Sequence, residues 1–218
     1  MKIAIIGDGR IGAGLARAWA RRGHELTLGV RAPDDPVRIE LAAELGARVT
    51  DVAGAPAGAD VVVLAVPHGA LGEVLTAVGG LSGQVVIDCT NAVARGFTLQ
   101  HGHTTSAAEE LQRRIPAARV FKSFNAQGAE NLADPVYDGR RATNFFCGDD
   151  PEGAAIVRRL VEDAGFDPVY AGPLRRARQL EPLMVLWVLA AQRLGTRDLA
   201  FALLRREAAD GAPASSSR

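Results

Sequence analysis

Two cysteines, two lysines and no excess of charge of either sign are what the sequence is short of, and each shortage removes a class of function. Cys89 and Cys147 lack the paired C-x-x-C spacing of a metal site. With a strand opening the chain and no leader expected ahead of it, a structural disulfide is not expected either. Both thiols read as small core residues in a reducing cytoplasm. Lys+Arg and Asp+Glu each number 25, so the balanced charge argues against a nucleic-acid or anionic-membrane partner, which would select a basic surface. Lys2 and Lys122 are the only lysines; arginine carries the rest of the positive charge. The longest apolar run, Leu183 to Ala191, is about half of what a bilayer requires. His101 and His103 form an H-x-H spacing with no further ligand nearby, so no metal is expected. What remains, 218 residues with 48% hydrophobic and 23% charged, suits a water-soluble chain that folds as one domain or one domain with an appendage.

Glycine, by contrast, is plentiful, and its placement at the start is informative. Lys2 to Ile6 is an apolar run of strand length that leads straight into Gly7-Asp8-Gly9-Arg10-Ile11-Gly12. Behind this turn Ile11, Leu15, Ala18 and Trp19 recur at helical spacing, Gly23 stops the helix, and Glu25 to Val30 reads as a second strand. Strand, G-x-G-x-x-G turn, helix and strand within about 30 residues make up a dinucleotide-binding unit. Gly7 permits the tight turn, Gly9 lets a pyrophosphate approach the main chain, and Gly12 allows the helix to pack on the strand. Amides at the helix start would face the phosphate charge. An NAD site would carry an acidic residue at the end of the second strand. Here Gly29-Val30-Arg31 offers a guanidinium suited to a 2′-phosphate, which favours NADP. Asp35-Pro36 reads as the cap and first position of the next helix, running to Leu45 and stopping at Gly46.

Further elements alternate in the order of a doubly wound, mainly parallel α/β fold of Rossmann type. Strands are expected near 47–50, 60–66, 84–88, 118–124, 142–147 and 166–170. Helices are expected near 70–78, from the capping box at Ser106 and Glu109 to Ile115, and from Asp150-Pro151 to Gly165. The strand Asp60 to Val66 ends at Pro67-His68, at the expected topological switch point, which sets Pro67 and His68 beside the nicotinamide half. Cys89-Thr90-Asn91-Ala92 leaves the next strand at the same edge, with Thr90 and Asn91 as contacts to the nicotinamide ribose or carboxamide. The strand after that delivers Asn125-Ala126-Gln127-Gly128. Leu174 to Leu180 and Leu183 to Arg206 read as helix with a break or kink at Pro182. The organisation expected is a nucleotide-binding domain over 1–172, a helical segment over 173–208 that completes the site, and a disordered tail over 209–218.

These residues resemble the reductases that move a hydride between NADP and the deazaflavin coenzyme F420. The resemblance is carried by Gly7 to Gly12, Gly29-Val30-Arg31, Ala65-Val66-Pro67, Asp88-Cys89-Thr90-Asn91, Lys122-Ser123-Phe124-Asn125, Cys147-Gly148-Asp149-Asp150, and Ala171-Gly172-Pro173-Leu174 with Glu181. The module is similar also to the cytosolic domain of the STEAP metalloreductases, which passes a hydride from NADPH to a flavin. The resemblance implies that Gly9, Arg10, Ile11, Arg31, Pro67, His68, Asn91 and Ala92 hold NADP, with Ala65 and Val66 beside them, and that Asn125 and Gln127 face the deazaflavin ring. The archaeal deazaflavin enzymes have a His where Asn125 stands and a Pro in place of Gln127-Gly128, which leaves F420 and flavin both open as acceptor. His68 and Asn125 would act by positioning. The implied reaction is direct hydride transfer between nicotinamide C4 and a deazaflavin C5 or flavin N5, which needs stacked rings and a dry site rather than a nucleophile or metal. The related reductases also suggest a homodimer that uses part of the C-terminal helix.

Two other readings stay open. One is an NADPH-dependent imine or ketone reductase acting on a small molecule, with Lys122, His68 or Asn125 assisting protonation. The other is a non-catalytic NADP-binding protein.

Overall fold

Alternation of side chains along the central strands decides how the layers assemble. In β1 (Lys2–Ile6), Ile3 and Ile5 enter one core while Ala4 and Ile6 enter the other. The protein, described by a computed structural model over residues 1–102 and 104–206, divides every central strand in this way. The chain continues through α1 (Arg10–Ala20), β2 (Glu25–Val30), α2 (Pro36–Leu45) and β3 (Arg48–Asp51), and then β4 (Val61–Leu64), α3 (Leu71–Val78), β5 (Val85–Asp88), α4 (Ala107–Arg114) and β6 (Arg119–Lys122). A hairpin of β7 (Val136–Tyr137) and β8 (Arg140–Arg141) follows, then β9 (Thr143–Gly148), α5 (Pro151–Asp163), β10 (Asp167–Tyr170) and α6 (Ala177–Leu194).

The main sheet has eight strands in the order β10-β9-β6-β5-β4-β1-β2-β3. Every neighbouring pair is parallel except β6 and β9, which run antiparallel. Order reverses beside β1: the chain builds outward to β3, then returns to β4 on its other side. The carboxyl ends of β1 and β4 therefore flank the switch point, as a doubly wound sheet requires. On one face Leu15 and Trp19 of α1 and Leu160 of α5 pack with Phe121, Phe124, Phe146 and Phe166. On the other, Leu71, Leu111, Leu174 and Leu180 cover Ile6, Leu64 and Val86. At about 1.5–3 kcal/mol for each fully buried large apolar side chain, these two layers hold the sheet edge rigid.

Three departures from the sequence pattern have local causes. First, a single helix, α6, runs through Pro182, where a break is allowed for. Pro182 is exposed in the second turn, so it removes one backbone bond and buries no clash, while Leu180 and Glu181 just before it are pinned to the sheet by side-chain bonds. Second, α6 stops at Leu194, because Gly195 takes a left-handed cap, and 195–206 is not helical. Its backbone is used elsewhere: Leu199 O accepts from Trp187 Nε1 and Asn131 Nδ2, Phe201 O accepts from Thr143 N, and Leu203 N donates to Thr143 Oγ1. Third, β6 ends at Lys122 because Phe124 adopts φ 56°, a left-handed conformation unusual for a bulky residue. The expected disordered tail, 209–218, and His103 lie outside the described residues. Cys89 and Cys147 are buried free thiols, and burial raises the Cys147 thiol to about 12 and drives Cys89 further up. Among the described residues no helix is long and apolar enough to cross a membrane, and no group of three or more potential metal ligands gathers.

Candidate functional site

Side-chain caps close the starts of α2, α4 and α5, where Asp35 accepts from Val37 N, Ser106 from Glu109 N and Asp150 from Gly153 N, whereas α3 and α6 lack one and each continue from a short 3-10 turn. The start of α1 has none. Gly9 is its cap residue, makes no side-chain bond, and no acidic residue follows in the first turn. First-turn amides have no intrahelical partner, so this end is left with unmatched positive potential. A Cβ added at Gly9 would meet nothing within 4 Å, so the space over the turn is open. Gly7 and Gly12 serve the turn itself. Gly7 has φ 107°, and a Cβ on Gly12 would lie 2.0 Å from the Gly7 carbonyl oxygen.

A cavity of about 540 Å³ opens from this turn. Gly7, Asp8, Gly9, Arg31, Ala65, Val66 and Pro67 line it, which unites the first turn, the end of β2 and the end of β4. Asp51 at the end of β3, Val52 and Ala53 after it, Ala70 just ahead of α3, and Glu73, Val74 and Ala77 on α3 add to the wall; no motif marks them in the sequence. Asp8 would place a carboxylate against an incoming anion, but Arg38 Nε lies 2.5 Å from its Oδ2 and Arg38 Nη1 2.6 Å from Asp35 Oδ2. Arg38 thus neutralises the turn from α2, a contact across 30 residues that local spacing cannot reveal. Arg10 projects away on an exposed side chain and pairs with Glu130, which also binds Arg197. Ile11 packs against the first core and Gly12 is buried in the turn, so neither lines the cavity.

A second group of sequence-expected residues gathers at the exits of β4, β5 and β6, outside that cavity. His68 Nδ1 stands 3.3 Å from Thr90 Oγ1, and its ring lies edge-on to His101 at 6.2 Å. Burial lowers the His68 pKa, with the Asp88 carboxylate opposing, which favours the neutral ring. Asn91 Nδ2 donates to the Asn125 carbonyl at 3.0 Å, and Asn125 Nδ2 donates back to Asn91 Oδ1 at 3.1 Å and to Leu180 O at 2.9 Å. The left-handed turn at Phe124 sends Asn125 into this bridge. Its amide is fixed by Asn144 Oδ1 and its ring packs edge-on to Trp19 at 5.9 Å. Such backbone strain costs about 1–3 kcal/mol and needs surroundings this firm to persist. Ala92 is buried, and its carbonyl accepts from Gln100 N. Gln127 Nε2 is buried without a partner among the described residues.

Lys122 is fully buried, with Nζ 2.8 Å from Asp88 Oδ2, 2.5 Å from Thr90 O and 3.3 Å from Glu181 Oε1. Its three ammonium protons each face an acceptor, so it cannot serve as a proton donor to a substrate.

Comparison with known proteins points to one family. Residues 2–92 match the family described as NADP oxidoreductase, coenzyme F420-dependent. The solved structure of a candidate F420-dependent NADP reductase from Arthrobacter sp. superposes with a TM-score of 0.85 at 31% identity, covering 94% of this chain and 100% of that one. The metalloreductase STEAP3 of Rattus norvegicus is 30% identical over 187 residues, 85% of this chain and 37% of its own length. A reductive aminase from Aspergillus terreus shares the fold at a TM-score of 0.67 and 20% identity, over 89% of this chain and 62% of that one. The chain spans 37% to 50% of the length of the curated relatives it matches. Matched over 94% of its length at 31% identity by the Arthrobacter protein, the chain belongs to the family of coenzyme F420-dependent NADP oxidoreductases.

Proposed function

We propose that this protein binds NADP(H) across the carboxyl edge of its sheet and passes a hydride between NADPH and a deazaflavin, coenzyme F420, or a flavin. The observation that carries the reading is the uncapped start of α1 with open space over Gly9, in one cavity with Arg31. The turn from Gly7 to Gly12 would take the pyrophosphate, and Arg31 the 2′-phosphate. Ala65, Val66 and Pro67 would line the path to the second group, where His68, Thr90, Asn91, Ala92, Asn125 and Gln127 would surround the nicotinamide end. NADPH, when bound, supplies the hydride. The residues bind and orient rather than exchange protons: burial disfavours the charged form of His68, which is bonded to Thr90, and Asn125 has its amide engaged by Asn91 and Leu180. Gln127, with an unpartnered buried amide, is the donor we assign to the acceptor ring. A proton-coupled imine or ketone reduction loses its proposed lysine, since Lys122 is sealed and fully paired.

Absorbance-monitored turnover of NADPH against coenzyme F420, FMN, FAD and simple imines tests the reading. Turnover with a tricyclic acceptor alone supports it. Turnover with an imine alone reverses it, and tight NADPH binding without turnover of any acceptor makes the protein a non-catalytic binder. A homodimer through α6 is part of the proposal, because Leu186 and Leu189 project 55% and 50% exposed along one stripe beside Pro182. Sedimentation as a monomer at micromolar concentration would remove that part. The proposed setting is the cytoplasm, in keeping with two free thiols.

A further inference from the structure

Next to Thr90 sits a cluster of one cation and two carboxylates with no task in the scheme above. Asp88, Lys122 and Glu181 are 0%, 0% and 2% exposed. Asp88 divides its carboxylate: Oδ2 meets Lys122 and Oδ1 accepts the Thr90 N–H at 2.8 Å. Lys122 donates to the Thr90 carbonyl, so both main-chain polar groups of Thr90 are gripped by the cluster. Glu181, on α6, meets Lys122 and accepts the Ala107 and Ala108 amides at the start of α4 at 3.0 and 3.1 Å. The residue before it, Leu180, accepts from Asn125, itself bonded to Asn91. Two adjacent residues of α6 thus fasten to the end of β6 and, through Glu181, to the start of α4.

Stability alone does not account for this arrangement. Replacing a buried ion cluster by apolar side chains is often neutral or stabilising, whereas fixing a unique geometry is a use such clusters serve well. What the cluster fixes here is Thr90, whose hydroxyl faces His68 and whose neighbour Asn91 opens the nicotinamide end.

We infer that Lys122 is a positioning residue for that end of the site: through the Thr90 main chain it presets the edge formed by His68, Thr90 and Asn91, and through Glu181 it registers α6 against it. The inference rests on the NADP reading of the site. It assigns Lys122 no contact with nucleotide and no proton transfer. The phosphate end, more than one strand away, is independent of it.

The test separates the two ends of the ligand. Adenosine 2′,5′-bisphosphate reports the Arg31 side by calorimetry, and the nicotinamide fluorescence of NADPH reports immobilisation of the ring. The double variant K122M/D88N is the informative one. It removes one charge of each sign, leaves the same single excess negative charge, and keeps an oxygen at position 88 for the Thr90 amide. Expected is bisphosphate affinity within about twofold of native, with NADPH affinity reduced roughly tenfold and its fluorescence enhancement lost. D88N alone, which keeps the Lys122 bond to Thr90, should retain most of the enhancement. Should the double variant not fold, the all-neutral K122M/D88N/E181Q is read the same way. Native-like NADPH affinity and fluorescence in the folded variant overturn the inference, and so does a parallel loss of both ligands, which marks a purely structural cluster. Native protein that binds neither probe overturns the NADP reading and the inference with it.

Discussion

Gly9→Ala should leave the fold intact and remove the nucleotide. Gly9 has φ −66° and ψ 179°, a conformation alanine adopts freely, and the added methyl meets no atom within 4 Å. Loss of glycine entropy from the unfolded chain should therefore stabilise the protein by about 0.4–1 kcal/mol, or roughly 1–4 °C in Tm at this size. The same methyl stands where the diphosphate must approach. Each charged hydrogen bond it displaces is worth about 1.5–3 kcal/mol, so NADPH affinity should fall by about 10- to 150-fold. Gly12→Ala gives the opposite signature. Its Cβ would lie 2.0 Å from the oxygen and 3.0 Å from the carbon of the Gly7 carbonyl, neither of which can rotate away. Overpacking of this kind costs about 1–3 kcal/mol, so Tm should drop by about 2–12 °C. Thermal melting and calorimetric titration with NADPH, run on both variants, separate the two effects. A Gly9→Ala protein that binds NADPH as tightly as native would show that the phosphates do not rest on this turn.

Arg31→Asp should weaken NADPH at least about tenfold more than NADH, since only the former carries the 2′-phosphate; equal losses in a paired titration would contradict the assignment. Asp51 lines the same cavity as Arg31, so Asp51→Asn should tighten NADPH by about two- to fivefold at low salt and leave NADH unchanged. Calorimetry showing no difference between the two nucleotides would count against it. Burial pushes the Glu130 carboxyl up, but its own amide, Arg197 and Arg10 outweigh this and hold it at about 2. A depressed carboxylate stabilises the fold above its ordinary 4.5 and loses that contribution as pH falls toward about 2. Glu130→Gln should therefore melt lower than native at pH 7, by no more than about 1 kcal/mol for so exposed a set of ion pairs. The gap should close as the pH drops through that window; a constant gap in melting scans would refute the ion-pair account.

What the sequence made legible was local in origin. The G-x-G-x-x-G turn, the apolar run of β4 and the caps at Asp35, Ser106 and Asp150 each declare themselves within a few residues, and they suffice for the doubly wound fold. The two-residue strands β7 and β8, on either side of Asp138-Gly139, are too short to show a period. Arg38 with Asp8, and Lys122 with Asp88 and Glu181, are pairings between distant segments, and no spacing rule reaches them. Lys122 did carry a hint: one of only two lysines in an arginine-rich chain, it directly follows Val120-Phe121 in an expected strand, where a charge calls for a buried partner. The helix expected beyond Leu194 failed because apolar content at 199–204 registered while the hydrogen bonds drawing Leu199, Phe201 and Leu203 to other elements did not. The break allowed for at Pro182 does not form, since tertiary ties at Leu180 and Glu181 outweigh one lost backbone bond.

The missing cap on α1 has a practical side. An end that presents bare amides discriminates little among tetrahedral oxyanions, so inorganic phosphate and sulfate will compete for the same seat. Nucleotide constants measured in phosphate buffer should come out weaker than those in an amine buffer of equal ionic strength, with the gap widening as buffer concentration rises.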